Sequence, residues 1–188
     1  MIEDEARERI LSAAEELYYR KGFAAVGMDE LRAASGVSLR RLYALFPSKP
    51  DIITAVLQRR HEEWESTLAA AVEAAGDSSR ERLLAVYRYL ENWFCSDGFR
   101  GCAFINAFGE LGGTSPEVAR IVREHKASFQ QHMAALAEES GGTPALAAQL
   151  SILAEGAQST AAISADPQVA AQARAAAEVL IDAALGRS

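Results

Sequence analysis

The amino-acid sequence predicts an all-α protein of about nine helices. An N-terminal three-helix head containing a helix-turn-helix comes first, and a larger helical domain follows. Three observations carry that prediction. Apolar residues recur at threes and fours, with no run of strict alternation to mark a strand. Proline is scarce, and three of the 5 follow Ser115, Thr143 and Asp166, where a polar cap and a first-turn proline open a helix. The stretch LRAASGVSLRRLYALFPSK, Leu31 to Lys49, reads as two short helices meeting at a glycine-containing corner.

Helix 1 is expected from about Glu3 to Lys21. Acidic residues fill its first turn and Arg20 and Lys21 its last, as the helix dipole favours. Ile10, Ala14, Leu17 and Tyr18 supply its buried stripe, and Gly22 stops it. Helix 2 starts near Met28, with Gly27 as N-cap. Gly36 can take the left-handed conformation that ends a helix, and Ser38 can cap the next one. Leu31, Ala34 and Val37 give one apolar edge of the corner, Leu42 and Phe46 another. Helix 3 fills about Leu39 to Phe46 and ends before Pro47.

Ser48 and Asp51, three apart, resemble a capping box at the start of helix 4, expected from about Lys49 to Ala75. Helix 5 runs from about Ser79 to Cys95. Leu83, Tyr87, Leu90 and Phe94 line one stripe, and Val86, Tyr89 and Trp93 widen it, the pattern of a helix buried on several sides. A short helix covers about Cys102 to Leu111, and helix 7 runs from Ser115-Pro116 to about Ser140. Helix 8 opens at Thr143-Pro144, and helix 9 spans Asp166-Pro167 to Gly186. The head is assigned to 1–48 and the second domain to 49–188, with helix 4 serving both.

A net charge of −7 first argues against a polyanionic partner. The distribution of that charge along the chain removes the objection. Residues 61–188 carry −8 and residues 1–60 carry +1, and within 32–60 six basic residues face Asp51 alone. Salt screens charge beyond about 8–10 Å, so a local basic corner can bind phosphate while the acidic remainder limits indiscriminate sticking. Cys95 and Cys102 are too few for a disulfide scaffold and read as reduced thiols. The acidic N-terminus does not resemble a signal peptide, and no apolar run approaches the roughly 20 residues needed to span a bilayer. The expectation is a cytoplasmic protein with no membrane partner. His125 and His132 share a helix face, but no close C-x-x-C or H-x-x-x-H spacing occurs, so neither a metal nor a cofactor is expected.

Gly22-Phe23 followed by Gly36, Val37, Ser38, Leu42, Tyr43, Phe46, Ser48 and Lys49 closely resembles the DNA-binding signature of the TetR family of bacterial transcriptional regulators. Ile10, Leu11, Ala13 and Ala14 fit the family's first helix. The resemblance covers the first quarter to third of the chain. In a helix-turn-helix the second helix enters the major groove with its N-terminal residues at the base edges. Arg40 and Arg41 can each fork onto guanine, and Leu39 can touch a thymine methyl. The resemblance implies that the Tyr43 hydroxyl and the Lys49 ammonium meet the DNA backbone. Two departures stand out. Val26-Gly27 replaces the family's Thr or Ser before helix 2, and Arg32 stands where a small residue is usual. Arg32 either lays its stem along the packing surface or reaches a phosphate. The second is the expectation here, so the DNA-binding set is Arg32, Ser38, Leu39, Arg40, Arg41, Tyr43 and Lys49.

The resemblance also implies a small-molecule pocket in the second domain. Trp64, Leu68, Tyr87, Leu90, Trp93, Phe94, Phe104, Phe108, Phe129 and Met133 are the bulky residues able to line it, with Asn106, His125 and His132 as polar groups. Any one of them is more often core than ligand contact. Leu146, Leu150, Leu153 and Ala157 on helix 8, with Ala173, Ala176, Leu180 and Ala184 on helix 9, suit a four-helix dimer interface or intramolecular packing. A two-fold dimer would present two recognition helices to a palindromic double-stranded operator. The expectation is a homodimeric one-component regulator, a repressor released by a small apolar or aromatic effector. A dimeric scaffold or small-molecule-binding protein that has lost specific DNA binding is the alternative. An enzyme is not expected, because Glu110, Glu155 and the histidines are scattered with no motif tying them together.

Overall fold

A computed structural model describes residues 3–186. Among them there are nine helices and no strand: α1 Glu3–Lys21, α2 Met28–Ser35, α3 Leu39–Leu45, α4 Lys49–Glu73, α5 Ser79–Phe94, α6 Ala103–Leu111, α7 Pro116–Glu139, α8 Pro144–Ser164 and α9 Gln168–Ala184. The chain divides into two compact units that do not follow chain order. The first takes the residues up to Glu62 together with Ala103–Arg123; the second takes Glu63–Cys102 and everything from Glu124 onward. Thus α6 and the first part of α7 share a unit with the helix-turn-helix, and α4 and α7 each contribute to both units.

Local chemistry accounts for the boundaries. Helix α3 stops at Leu45, with Phe46 as its extended C-cap ahead of Pro47. Asp51 accepts from the Ser48 amide and hydroxyl at 2.9 and 2.6 Å, and Ser48 Oγ accepts in return from the Asp51 amide at 3.4 Å. That reciprocity is a capping box built with Asp. Ser115, Thr143 and Asp166 each accept from an amide two or three residues on, at 3.3, 3.2 and 2.9 Å. The first two sit directly ahead of their helices; the third precedes Pro167, so α9 begins one residue later than the proline suggests.

In the first unit α1, α2 and α3 pack against one another. Ile10, Ala14, Leu17 and Tyr18 of α1 are buried, as are Leu31, Val37, Leu42 and Phe46 around the corner. Ala34, expected on the apolar edge, faces solvent. Ser35, one turn on from Leu31, is buried in its place. In the second unit α5 packs against α8 and α9. Five consecutive α5 residues, Leu83 to Tyr87, are buried, as a helix walled in on several sides requires. No helix among the described residues is long and apolar enough to cross a membrane.

Candidate nucleic-acid interface

The corner between α2 and α3 is built from three residues. Gly36 takes φ 64°, and its amide donates to the Arg32 carbonyl at 3.1 Å. Only glycine adopts that conformation without a Cβ penalty. Val37 drops into the core. Ser38 then caps α3, its hydroxyl oxygen accepting from the Arg41 amide at 3.3 Å. Gly27 caps α2 through its extended backbone and offers no side-chain bond, as its lack of a hydroxyl dictates.

With Leu42 fully buried, the helical period turns the rest of α3 outward. Leu39 is 42% exposed and Tyr43 46%, large apolar area for a solvent-facing helix. Arg40 is exposed and Arg41 half-buried, and neither guanidinium has a side-chain partner among the described residues. Ten N–H donors therefore stand beside a capped helix N-terminus with nothing among the described residues to take them. Arg32 is held only loosely, its Nε 4.0 Å from Asp29 at a largely exposed site. Lys49 is placed differently from the arginines. Its Nζ donates to the Ala24 carbonyl at 3.1 Å, and partial burial lowers its pKa while the Glu110 carboxylate pulls the other way.

Spacing along the chain did not reveal three further residues of this region. Arg7 lies over the Phe46 ring at 4.6 Å, which braces α1 against the corner. The Arg9 guanidinium occupies the space a Cβ on Gly36 would need. Glu110, from α6, accepts from the Ala24 amide at 2.8 Å. Arg9 lies off the apolar stripe of α1, where a charged residue reads as solvated; Arg7 stands on the stripe side, three residues before Ile10, but is exposed near the helix start. The third is 86 residues from its partner.

The pocket candidates divide between the units. Leu68, Tyr87, Leu90, Phe94, Phe129 and Met133 are buried in one cluster of the second unit, with Trp64 and Trp93 half-buried against it. Trp64 meets His125 and Phe129 edge-on, at 4.8 and 5.6 Å between ring centroids. The Tyr87 hydroxyl donates to the Leu150 carbonyl at 2.7 Å, so its polar end is already used inside the unit. Phe104, Asn106 and Phe108 belong to the first unit, and the Phe108 ring lies against Gly112, half open to solvent. His132 has a buried Nε2 without a hydrogen-bond partner, and burial, reinforced by the Arg82 charge, lowers its pKa. Among the described residues no group of three His, Cys, Asp or Glu is placed to hold a metal ion. Cys95 and Cys102 are both free thiols.

The interface candidates divide into buried and exposed sets. Leu146 and Leu150 belong to the core of their own chain, where α5 and α9 already cover them, so they have no surface to offer a second copy. Ala157 and Ala173 are nearly as buried, Leu153 and Leu180 are half-buried, and Ala176 and Ala184 are exposed. The large exposed apolar side chains of these helices are Ile152, Ile163 and Val179, from 68% to 88% accessible. An open groove of about 410 Å³ runs between Ile152, Leu153, Gly156 and Thr160 of α8 and Val169 and Gln172 of α9.

Comparison with known proteins agrees with this geometry. The family profile "Bacterial regulatory proteins, tetR family" matches residues 10–56, from within α1 to the start of α4. A crystal structure of a TetR-family transcriptional regulator from Streptomyces coelicolor is 30% identical, with a TM-score of 0.89 over 96% of this chain and 90% of that one. The transcriptional repressor NemR of Escherichia coli is 28% identical over 117 residues, 62% of this chain. The transcriptional activator FasR of Mycolicibacterium smegmatis is 36% identical over 124 residues, 64% of this chain. The matched stretches span only 59% of NemR and 53% of FasR. Helix-turn-helix, nine-helix architecture and full-length likeness converge, and the chain belongs to the TetR family of DNA-binding transcriptional regulators.

Proposed function

We propose that the protein is a homodimeric one-component repressor that reads a palindromic operator through Arg40 and Arg41 and leaves it when a small apolar or aromatic effector binds. The observation that carries the reading is the pair of guanidinium groups without side-chain partners among the described residues, at the capped start of α3. An arginine fork on guanine O6 and N7 discriminates by about 1–3 kcal/mol per base pair. Leu39 supplies an apolar contact for a thymine methyl. Tyr43, Lys49 and Arg32 bind phosphate and set affinity and salt dependence without setting sequence. The protein acts where the chromosome is, in the cytoplasm.

Dimerisation through α8 and α9 is supported by the exposed Ile152, Ile163 and Val179, side chains a solitary protomer leaves in water. The effector meets the aromatic surface of Trp64, His125 and Phe129, with His132 Nε2 as a polar handle. Release is a population shift: the effector weakens operator binding by as much as it prefers the state that cannot bind DNA. The contribution of α4 and α7 to both compact units supports them as the connecting elements. Repression is favoured over activation by the likeness to NemR, whereas the FasR likeness keeps the sign open to test.

The test is a mobility shift on the DNA upstream of the protein's own gene, with wild type and Arg40→Ala, alongside expression from that promoter in a deletion strain. The expected result is a shift that Arg40→Ala weakens, and higher expression in the deletion strain. No shift at low salt favours a dimeric scaffold that has lost DNA binding, a reading that rests on the missing hydroxyl before α2.

A further inference from the structure

Residue 24, in the turn between α1 and α2, is gripped from both sides. Its amide donates to Glu110 Oε2 at 2.8 Å, and its carbonyl accepts from Lys49 Nζ at 3.1 Å. Three separate elements meet there: the α1–α2 turn, the first residue of α4 and the last turn of α6, all within one compact unit. Gly22 makes the approach possible. It takes φ 91°, and a Cβ at that position would lie 3.0 Å from the Glu110 carboxylate. The two charges thus meet on one residue's backbone, and where burial lowers the Lys49 pKa the Glu110 carboxylate raises it.

A carboxylate that accepts from a backbone amide, with an ammonium on the carbonyl of the same residue, occupies the same kind of site a phosphate oxygen would choose. Lys49 is the cation that the proposed function assigns to the DNA backbone, and the inference rests on that reading. We infer that Glu110 is an intramolecular competitor of the DNA phosphate: its carboxylate neutralises part of the Lys49 charge and weakens DNA binding without regard to sequence. DNA must draw the ammonium away from Glu110 and Ala24, and it meets the remaining carboxylate as a like charge. Because Glu110 rides on α6, the charge that Lys49 presents is set by a helix outside the reading motif. Glu110 is a positioning residue, acting through Lys49 and touching no base.

The test compares wild type, Glu110→Gln, Lys49→Gln and the double variant by fluorescence anisotropy on the upstream fragment and on a short random-sequence duplex, across a salt series. Glutamine keeps an oxygen for the Ala24 amide and removes only the charge, and Glu110 is exposed, so the fold tolerates it; matching thermal melts confirm that. Glu110→Gln is expected to bind both duplexes several-fold more tightly and to steepen the log–log salt slope by about one unit. In the Lys49→Gln background the same change should do nothing. Unchanged or weaker binding by Glu110→Gln, or an equal gain without Lys49, overturns the inference while wild-type binding stands. Failure of wild type to bind either duplex at low salt overturns the proposed function, and this inference with it.

Discussion

On α3, Arg40 and Arg41 hold their donors toward solvent with no acceptor among the described residues. On α5, Arg80 commits Nε and one terminal nitrogen to Asp182 of α9, at 2.7 and 2.9 Å, and the other to Glu81 at 3.0 Å. Arg82 reaches Glu139 at 2.7 Å, and Arg88 reaches Glu81 at 2.9 Å. The residue type is the same and its state is opposite. These arginines of the second unit are taken up by carboxylates of their own chain, whereas those of α3 find none among the described residues. A satisfied arginine should therefore matter to stability and an unsatisfied one to binding.

The largest expected effect is on DNA. Removing Arg40 or Arg41 should each cost about 1–3 kcal/mol of operator affinity and flatten the preference over random duplex, with the melting temperature unchanged. Competition anisotropy reads this, and a retained preference in the double alanine variant would break the contrast between the two regions. Next comes Tyr87→Phe. It deletes the bond to the Leu150 carbonyl and should cost about 0.5–1.5 kcal/mol in urea unfolding, leaving DNA affinity where it was.

Arg80→Ala should cost less, about 0.2–1 kcal/mol, because a partly exposed ion pair is screened even when its geometry is bidentate. A double-mutant cycle with Asp182→Ala isolates that coupling. Smallest is a pH effect at His132. Its pKa is lowered in the folded state, so its contribution to stability is complete above the ordinary value of about 6.5 and is lost as pH falls below it. Melts from pH 7 to pH 5 should decline less steeply for His132→Gln; equal slopes would rule out His132 as the source.

Much of the fold was legible because its signals are local. The capping pair Ser48–Asp51, the corner Gly36–Val37–Ser38 and the prolines at 116 and 144 act within a turn of the boundary they mark. The outward face of α3 was legible for the same reason, since burying Leu42 fixes where its neighbours point. The stripe on α8 and α9 was open to two readings. Leu146 and Leu150 follow the same apolar period whether the neighbouring helix comes from their own chain or another, and here α5 and α9 claim them. Ile152, one residue out of phase with Leu153, carries the exposed apolar surface instead.

The order and ends of the helices, the left-handed corner and the outward face of α3 were thus set by residues within a few positions of one another. Spacing along one helix decides such features before any packing occurs. Which helices share a compact unit, which leucines reach solvent and which carboxylate shares Ala24 with Lys49 were decided by tertiary structure alone. Those outcomes join residues as far apart as Ala24 and Glu110, and a local pattern carries no term for a distant partner.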